Sequence, residues 1–352
     1  ELKTLNPLGS IMADSTFSEV TEWIDTGNFH LNACVSGSLF GGWPNSRTCS
    51  IAGPSGTGKT FLVLNSVRKA IEMGYNVIYF DSEAAVDKDQ MEKFGIDVTK
   101  VNYQPINTVQ EFRTSVTTLT SKMQEVKRNG GKTPKIMMIL DSAGNLATQK
   151  EIDDARSGSE KADMTRSKVL KSIFRIIMTP LADLKIPFIF TNHTYQTQDF
   201  ISRQVAGGGT GPEYAASIVL YLGKAQLKDT GGDKAGIIVT AKPNKNRFAK
   251  PTNIKFHLHF TEGMNAYVGL EQYIDWEDIG IIEKGEKIPK ATSRNWICKH
   301  LDHTVPNKEF FTEKVFTQEV LEKIELRIKH VFNYNTEERE LDLETLLESD
   351  ED

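Results

Sequence analysis

The run Gly53-Pro54-Ser55-Gly56-Thr57-Gly58-Lys59-Thr60 matches the pattern G-x-x-x-x-G-K-[ST] at every fixed position. Glycines at this spacing let backbone N–H groups curl around phosphate oxygens, while the lysine reaches the β- and γ-phosphates and the hydroxyl offers a ligand to Mg2+. Two further groups are needed for chemistry on a phosphoryl group. One is an acid at the end of a buried strand that holds Mg2+ through water, and Asp141, closing Ile136-Met-Met-Ile-Leu140, has that place. Alone, an acid after an apolar run is only a polar strand end; behind a phosphate loop it reads as the magnesium acid. The other is a carboxylate that orients and deprotonates a water in line with the γ-phosphate. Glu83, in Phe80-Asp81-Ser82-Glu83, is the candidate base, with a solvated loop carboxylate as the alternative.

These groups need a scaffold that brings distant strand ends together. Thr48 to Ala52 reads as a strand, Lys59 to Met73 as a helix stopped by Gly74, and Asn76 to Phe80 as the next strand. Lys135 to Leu140 and Ile186 to Thr191 are further buried strands, separated by a helix from about Thr165 to Lys185 that is interrupted near Pro180. Ile237 to Thr240 and Ile254 to Phe260 read as strands joined by a basic turn. Such alternation predicts an α/β fold with a mostly parallel central sheet covered by helices. The pattern from Leu270 to Phe332 is mostly helical, so four regions are expected: an N-terminal arm over 1–28, a core over 29–270, a small C-terminal domain over 271–335 and an acidic tail over 336–352.

Composition narrows the class. With 352 residues, 39% hydrophobic and 25% charged, the chain is not disordered throughout. Its net charge of −5 divides unevenly: nine acids against Arg339 alone give −8 over residues 336–352, leaving +3 on the other 335. A basic body and an acidic tail suggest that the tail competes with a polyanion for the body's cations. Cys34, Cys49 and Cys298 are odd in number and widely spaced, which predicts neither a disulfide framework nor a metal site. Apolar stretches of about five residues fall far short of the roughly 20 that span a bilayer. No export signal is visible in the first 15 residues, so the cytoplasm is the expected compartment.

The blocks Asp141-Ser-Ala-Gly-Asn-Leu146, Asp163-Met-Thr-Arg-Ser-Lys168, Thr191-Asn-His-Thr-Tyr195 and Gly207-Gly-Gly-Thr-Gly-Pro212, in this order behind the phosphate loop, resemble the RecA-family recombinases, above all the phage UvsX recombinases. The resemblance runs from about Glu22 to Leu270 and implies a RecA-like ATPase core. It implies ATP and Mg2+ as cofactors, Gly53 to Thr60 on the phosphates, Asp141 and Thr60 on the metal, and Glu83 as base. His193 falls where the family senses the γ-phosphate; without that comparison a lone histidine after a buried strand reads as structural. Lys245 and Arg247, within Asn244-Lys-Asn-Arg-Phe-Ala-Lys-Pro251, match two cations that reach a neighbouring subunit's ATP, with a solvated basic turn as the alternative. The family's adenine-stacking tyrosine aligns with Gln90, which leaves Asp87 as the residue expected at the ring edge.

Two stretches, Lys150 to Asp163 and Thr194 to Thr210, have the composition of mobile loops, and the resemblance implies that they grip DNA. Expected contacts are Arg203 on the backbone, Phe200 against bases, and the glycines Gly207, Gly208 and Gly209. Arg166, Lys168, Lys171 and Arg175 follow the first loop on a helix, where Lys168, Lys171 and Arg175 share one face. A cationic face of this kind tracks phosphates without reading sequence, though most such faces are merely solvated. The implied function is an ATP-dependent, DNA-dependent ATPase that polymerises on single-stranded DNA into a helical filament and pairs it with homologous duplex DNA. Implied partners are further copies of the chain, a phage single-strand-binding protein and a recombination mediator, with no membrane. The alternatives are a hexameric replicative helicase of the same fold and a non-catalytic strand-coating scaffold. A helicase is expected to carry a large N-terminal domain, and about 46 residues precede the first core strand. The set Lys59, Glu83 and Asp141 speaks against a scaffold.

Overall fold

A computed structural model describes residues 15–17, 19–158, 165–196, 204–207, 211–228, 231–274, 295–298 and 303–334. The short strands β1 (Trp23–Ile24) and β2 (Trp43–Pro44) pair antiparallel. One large sheet holds β3 (Thr48–Gly53), β4 (Asn76–Asp81), β5 (Val101–Pro105), β6 (Ile136–Asp141), β7 (Phe188–Gln196), β8 (Gln204–Ala206), β9 (Ile218–Lys228), β10 (Lys234–Asn246), β11 (Ile254–His259) and β12 (Gly263–Met264). Their order is β12-β11-β10-β9-β3-β7-β6-β4-β5, with β8 joined to β7. From β9 to β5 all neighbours are parallel. β10, β11 and β12 continue the sheet antiparallel.

The parallel strands are apolar on both faces because each face has its own core. Val77 and Tyr79 of β4 and Met137 and Ile139 of β6 pack with Leu62, Val63 and Val67 of the helix Lys59–Glu72. The alternate residues Phe80, Met138 and Leu140 pack on the other side with Phe112, Val116 and Phe174. Those last three lie on the helices Val109–Arg128 and Arg166–Asp183. Rings lock this second layer: Phe80 meets Phe112 edge-on at 5.1 Å and Phe174 meets Phe190 at 4.9 Å.

Several elements differ from their sequence expectation. The helix Arg166–Asp183 runs through Pro180 unbroken. Proline removes the bond to the carbonyl four residues back, and that residue, Ile176, lies on the exposed side where water can replace the donor. The basic turn expected after Thr240 is largely strand: β10 continues to Asn246 because it pairs along β9, a strand the periodicity had not marked. The expected first loop is half helical, since Thr148 and Glu151 form a capping box that starts the helix Gln149–Arg156. The second is strand at both described ends, with Thr194, Tyr195 and Gln196 pairing with Ala206, Val205 and Gln204.

The described residues of 271–335 include the helices Asn307–Phe310 and Gln318–Phe332 together with a hairpin, β13 (Asn295–Cys298) with β14 (His303–Pro306), that the helical pattern did not mark. Ile324, Ile328 and Phe332 enter the same core as Leu31 and Val35 of the helix Phe29–Ser36. Glu325 Oε2 accepts the Leu39 N–H at 2.7 Å across 286 positions of chain. The acidic tail over 336–352 lies outside the described residues. Among the described residues no helix is long and apolar enough to cross a membrane.

His30 sits in this shared core, its Nε2 2.8 Å from Tyr273 Oη, and burial pushes its pKa down to about 4. The unfolded chain therefore takes up a proton near pH 6.5 that the folded chain refuses until about pH 4, and stability falls as pH drops through that window. Between pH 7 and 5 the loss from this group is about 2 kcal/mol. Urea midpoints of the wild type should fall faster over this range than those of His30→Gln, and parallel curves would remove His30 as the cause.

Candidate functional site

Strand register assembles the site. Gly53 ends β3 directly beside His193 of β7, Asp81 of β4 is level with Asp141 of β6, and Leu140 pairs with Phe190 so that Asp141 and Thr191 are next in line. The carboxyl ends of four neighbouring strands thus meet at one edge, the usual crevice of an open α/β sheet.

The phosphate loop caps this edge. Gly56 and Gly58 adopt φ of +70° and +88°, which side chains disfavour, and a β-carbon on Gly58 would sit 2.4 Å from Leu258 Cδ1. Gly58 is also the N-cap of the helix Lys59–Glu72, so the loop presents a helix N-terminus to an anion. Lys59 is only 7% exposed, and its Nζ donates to the carbonyls of Gly53 at 2.9 Å and Pro54 at 3.1 Å. Burial pushes its pKa down, against the opposing pull of the Glu83 and Asp141 carboxylates. Thr60 Oγ1 donates to Asp141 Oδ2 at 2.9 Å, leaving its own lone pairs for a hard cation. Crowded glycines, a helix N-terminus, a buried ammonium and an all-oxygen pair fit a nucleotide's phosphates and Mg2+.

Asp141 is 1% exposed. Besides Thr60, it accepts from Tyr79 Oη at 3.0 Å on Oδ2 and from Thr191 Oγ1 on Oδ1. Burial raises its pKa and the hydroxyl donors act the other way. Glu83 stands across the edge. Its Oε1 accepts from Ser142 Oγ at 2.5 Å and lies 2.8 Å from His193 Nε2. The turn that delivers Glu83 is organised by the buried Asp81, whose Oδ1 accepts the Glu83 N–H at 2.8 Å and whose Oδ2 accepts Tyr103 Oη at 2.9 Å.

His193 connects this edge to the second expected DNA segment. Its Nδ1 lies 3.5 Å from Lys59 Nζ and its carbonyl accepts the Gly207 N–H at 2.7 Å. Neighbouring Asn192 Nδ2 donates to the Gly207 carbonyl at 2.8 Å. A group that meets the phosphate lysine, the carboxylate and the β7–β8 strand pair can transmit a change at one to the others.

Other expected residues lie apart. Lys245 pairs through Val219 with Ser50, three residues before Gly53, which places it about 10 Å toward the opposite edge of the sheet. Its Nζ donates to the Tyr214 carbonyl at 2.9 Å and the Glu213 carbonyl at 3.3 Å, and burial, then nearby Arg247, lowers its pKa. Lys245 is thus not brought to its own chain's Lys59, and Arg247, just beyond β10, is exposed. Asp87 caps the helix Lys88–Lys93 through the Gln90 N–H at 2.8 Å, and it lines a cavity of about 380 Å3 with Val86, Met91, Val98, Val101 and Tyr103. Arg166 donates to the Gly144 carbonyl, tying its helix to the turn after β6. Lys168, Lys171 and Arg175 are all exposed on that helix. Phe200, Arg203, Gly208 and Gly209 lie outside the described residues.

Sequence reading had not marked Tyr79, Thr191, Ser142, Asp81 or Tyr103 as contributors. The available signal was a hydroxyl inside an otherwise apolar strand, as in Val77-Ile-Tyr-Phe80 and Ile189-Phe-Thr191.

Residues 6–265 match the family model described as the RecA N-terminal domain. The chain is 33% identical over 243 residues to the recombination and repair protein of Enterobacteria phage T4, covering 68% of this chain and 60% of that protein. It is 27% identical over 263 residues to protein RecA of Streptomyces venezuelae, covering 74% of this chain and 65% of the relative. The chain thus spans less than two thirds of the length of either relative.

Proposed function

That this chain belongs to the RecA family is the premise from which we propose that it is an ATP-dependent DNA recombinase. In this reading it polymerises on single-stranded DNA into a helical filament, catalyses homologous pairing and strand exchange, and hydrolyses ATP at the subunit interface. The observation that carries the proposal is His193, held between Lys59, Glu83 and the β7–β8 pair, because it ties a phosphate site to a segment suited to DNA.

Gly53 to Thr60 bind the phosphates, with Thr60 and Asp141 serving Mg2+, which when bound neutralises phosphate charge. Glu83 Oε1 takes the proton of an attacking water, oriented by Ser142 and His193. Lys245, offset from its own chain's loop, and exposed Arg247 act on a neighbouring subunit's nucleotide. Asp87 contacts the base edge. Lys168, Lys171 and Arg175 track the DNA backbone beside Arg203, Phe200 and the glycines 207–209. A single-strand-binding protein and a loading mediator are the further partners we propose, in the cytoplasm of an infected bacterium.

Negative-stain images with single-stranded DNA and a non-hydrolysable ATP analogue test this reading. Helical filaments are expected. Closed rings would replace it with a hexameric helicase of the same fold.

A further inference from the structure

Resting on the reading of Asp141 as the magnesium acid, we infer that Tyr79 and Thr191 are positioning residues that fix its carboxylate and leave one acceptor site, on Oδ1, for a metal-bound water. A carboxylate offers about four lone-pair sites, two on each oxygen. Oδ2 accepts from Thr60 Oγ1 at 2.9 Å and from Tyr79 Oη at 3.0 Å, which fills it. Oδ1 accepts from Thr191 Oγ1, which leaves a single site there. Thr60 donates its proton to Oδ2, which leaves its oxygen lone pairs for a cation, so Asp141 would have one acceptor site for a water of that ion's shell.

The two hydroxyls are themselves rigidly held. Tyr79 pairs with Ile139, two residues before Asp141, so its ring spans a diagonal neighbour on the adjacent strand. That ring is fully buried and stacks on Tyr103 at 6.4 Å, leaving the phenol little freedom to swing. Thr191 follows Phe190, the partner of Leu140, and reaches Asp141 from the other side. Asp141 is therefore gripped from both adjoining strands as well as by the phosphate loop. A second layer of donors sets how well a ligating group meets its metal, and losing such a partner costs about 10-fold or more in metal affinity.

Tyr79→Phe removes only the hydroxyl, and Thr191→Val is nearly isosteric. The readout is binding of a fluorescent non-hydrolysable ATP analogue, titrated first in EDTA and then with Mg2+. Each variant should bind the probe in EDTA as the wild type does, need about 10-fold more Mg2+ to reach the tight-binding state, and recover fully when Mg2+ is raised. A merely structural role would lower the melting temperature without moving the Mg2+ midpoint. If Tyr79→Phe does not fold, Thr191→Val carries the test alone. Asp141→Asn separates the two levels. If it shifts the Mg2+ midpoint while the folded hydroxyl variants do not, the positioning role is overturned and the magnesium acid stands. If it leaves the midpoint unchanged, the magnesium assignment falls and the positioning role falls with it.

Discussion

Glu83→Gln is expected to lower the turnover number for ATP hydrolysis by about 10^3-fold, within the span assigned to a general base, while ATP affinity stays within about twofold. The amide keeps the size of the carboxylate, and its oxygen can still accept from Ser142 Oγ, so the turn built on Asp81 should persist. What disappears is a basic oxygen able to take a proton from water. Steady-state hydrolysis together with filter binding to single-stranded DNA checks both halves. A variant that hydrolyses at the wild-type rate would move the base elsewhere, and His193, 2.8 Å from Glu83, would be the next residue to test. One that loses ATP binding as well would make Glu83 a structural member of the edge.

Arg247→Ala is expected to depress hydrolysis in the assembled, DNA-bound state by about 10^3-fold, the low end for an arginine supplied across an interface. The physical reason is separation. Its strand neighbour Lys245 is level with Ser50, not Gly53, about 10 Å from the strand end that opens the phosphate loop. Nucleotide affinity of the dilute subunit should then be unchanged. Mixing sharpens the test. An interface that takes Glu83 from one variant subunit and Arg247 from the other is intact, and about a quarter of randomly mixed head-to-tail interfaces have that composition. Combining the two inactive variants should restore roughly that share of activity. A mixture as inactive as its components would place Arg247 in a role confined to its own subunit.

What the sequence disclosed follows from the range of each interaction. The phosphate loop is a local device whose eight residues are contiguous, so the pattern alone locates Lys59 and Thr60. Asp141 and Glu83 were legible as acids at the ends of apolar strands, and the α/β alternation showed that these ends would share an edge. The hydroxyl grip on Asp141 was not legible, because it depends on which residue of β4 and which of β7 come level with β6. Register is decided by the whole sheet. β9 was missed although its inner half, Ile218 to Leu222, is an apolar run; its outer half, Lys224 to Lys228, is exposed or half-exposed and continues the strand by pairing with β10. Pro180 misled in the opposite sense: the local rule predicts a break, and the packing of Ile177 and Leu181 on either side of it holds the helix together. The capping box of Thr108 with Glu111, which starts the helix Val109–Arg128, was a local signal that went unused.

The contact between Leu39 and Glu325 sets an order of events during synthesis. At about 5–20 residues per second, the helix Phe29–Ser36 leaves the ribosome roughly 15–60 s before the helix that covers it. The ring-lined layer of Phe80, Phe112, Phe174, Phe188 and Phe190 has all of its members by residue 219, so it can consolidate while translation continues. The other layer waits for Phe332. Until that helix is made, His30 lacks the Phe332 ring it meets edge-on at 6.2 Å and the Leu39 N–H lacks its carboxylate acceptor.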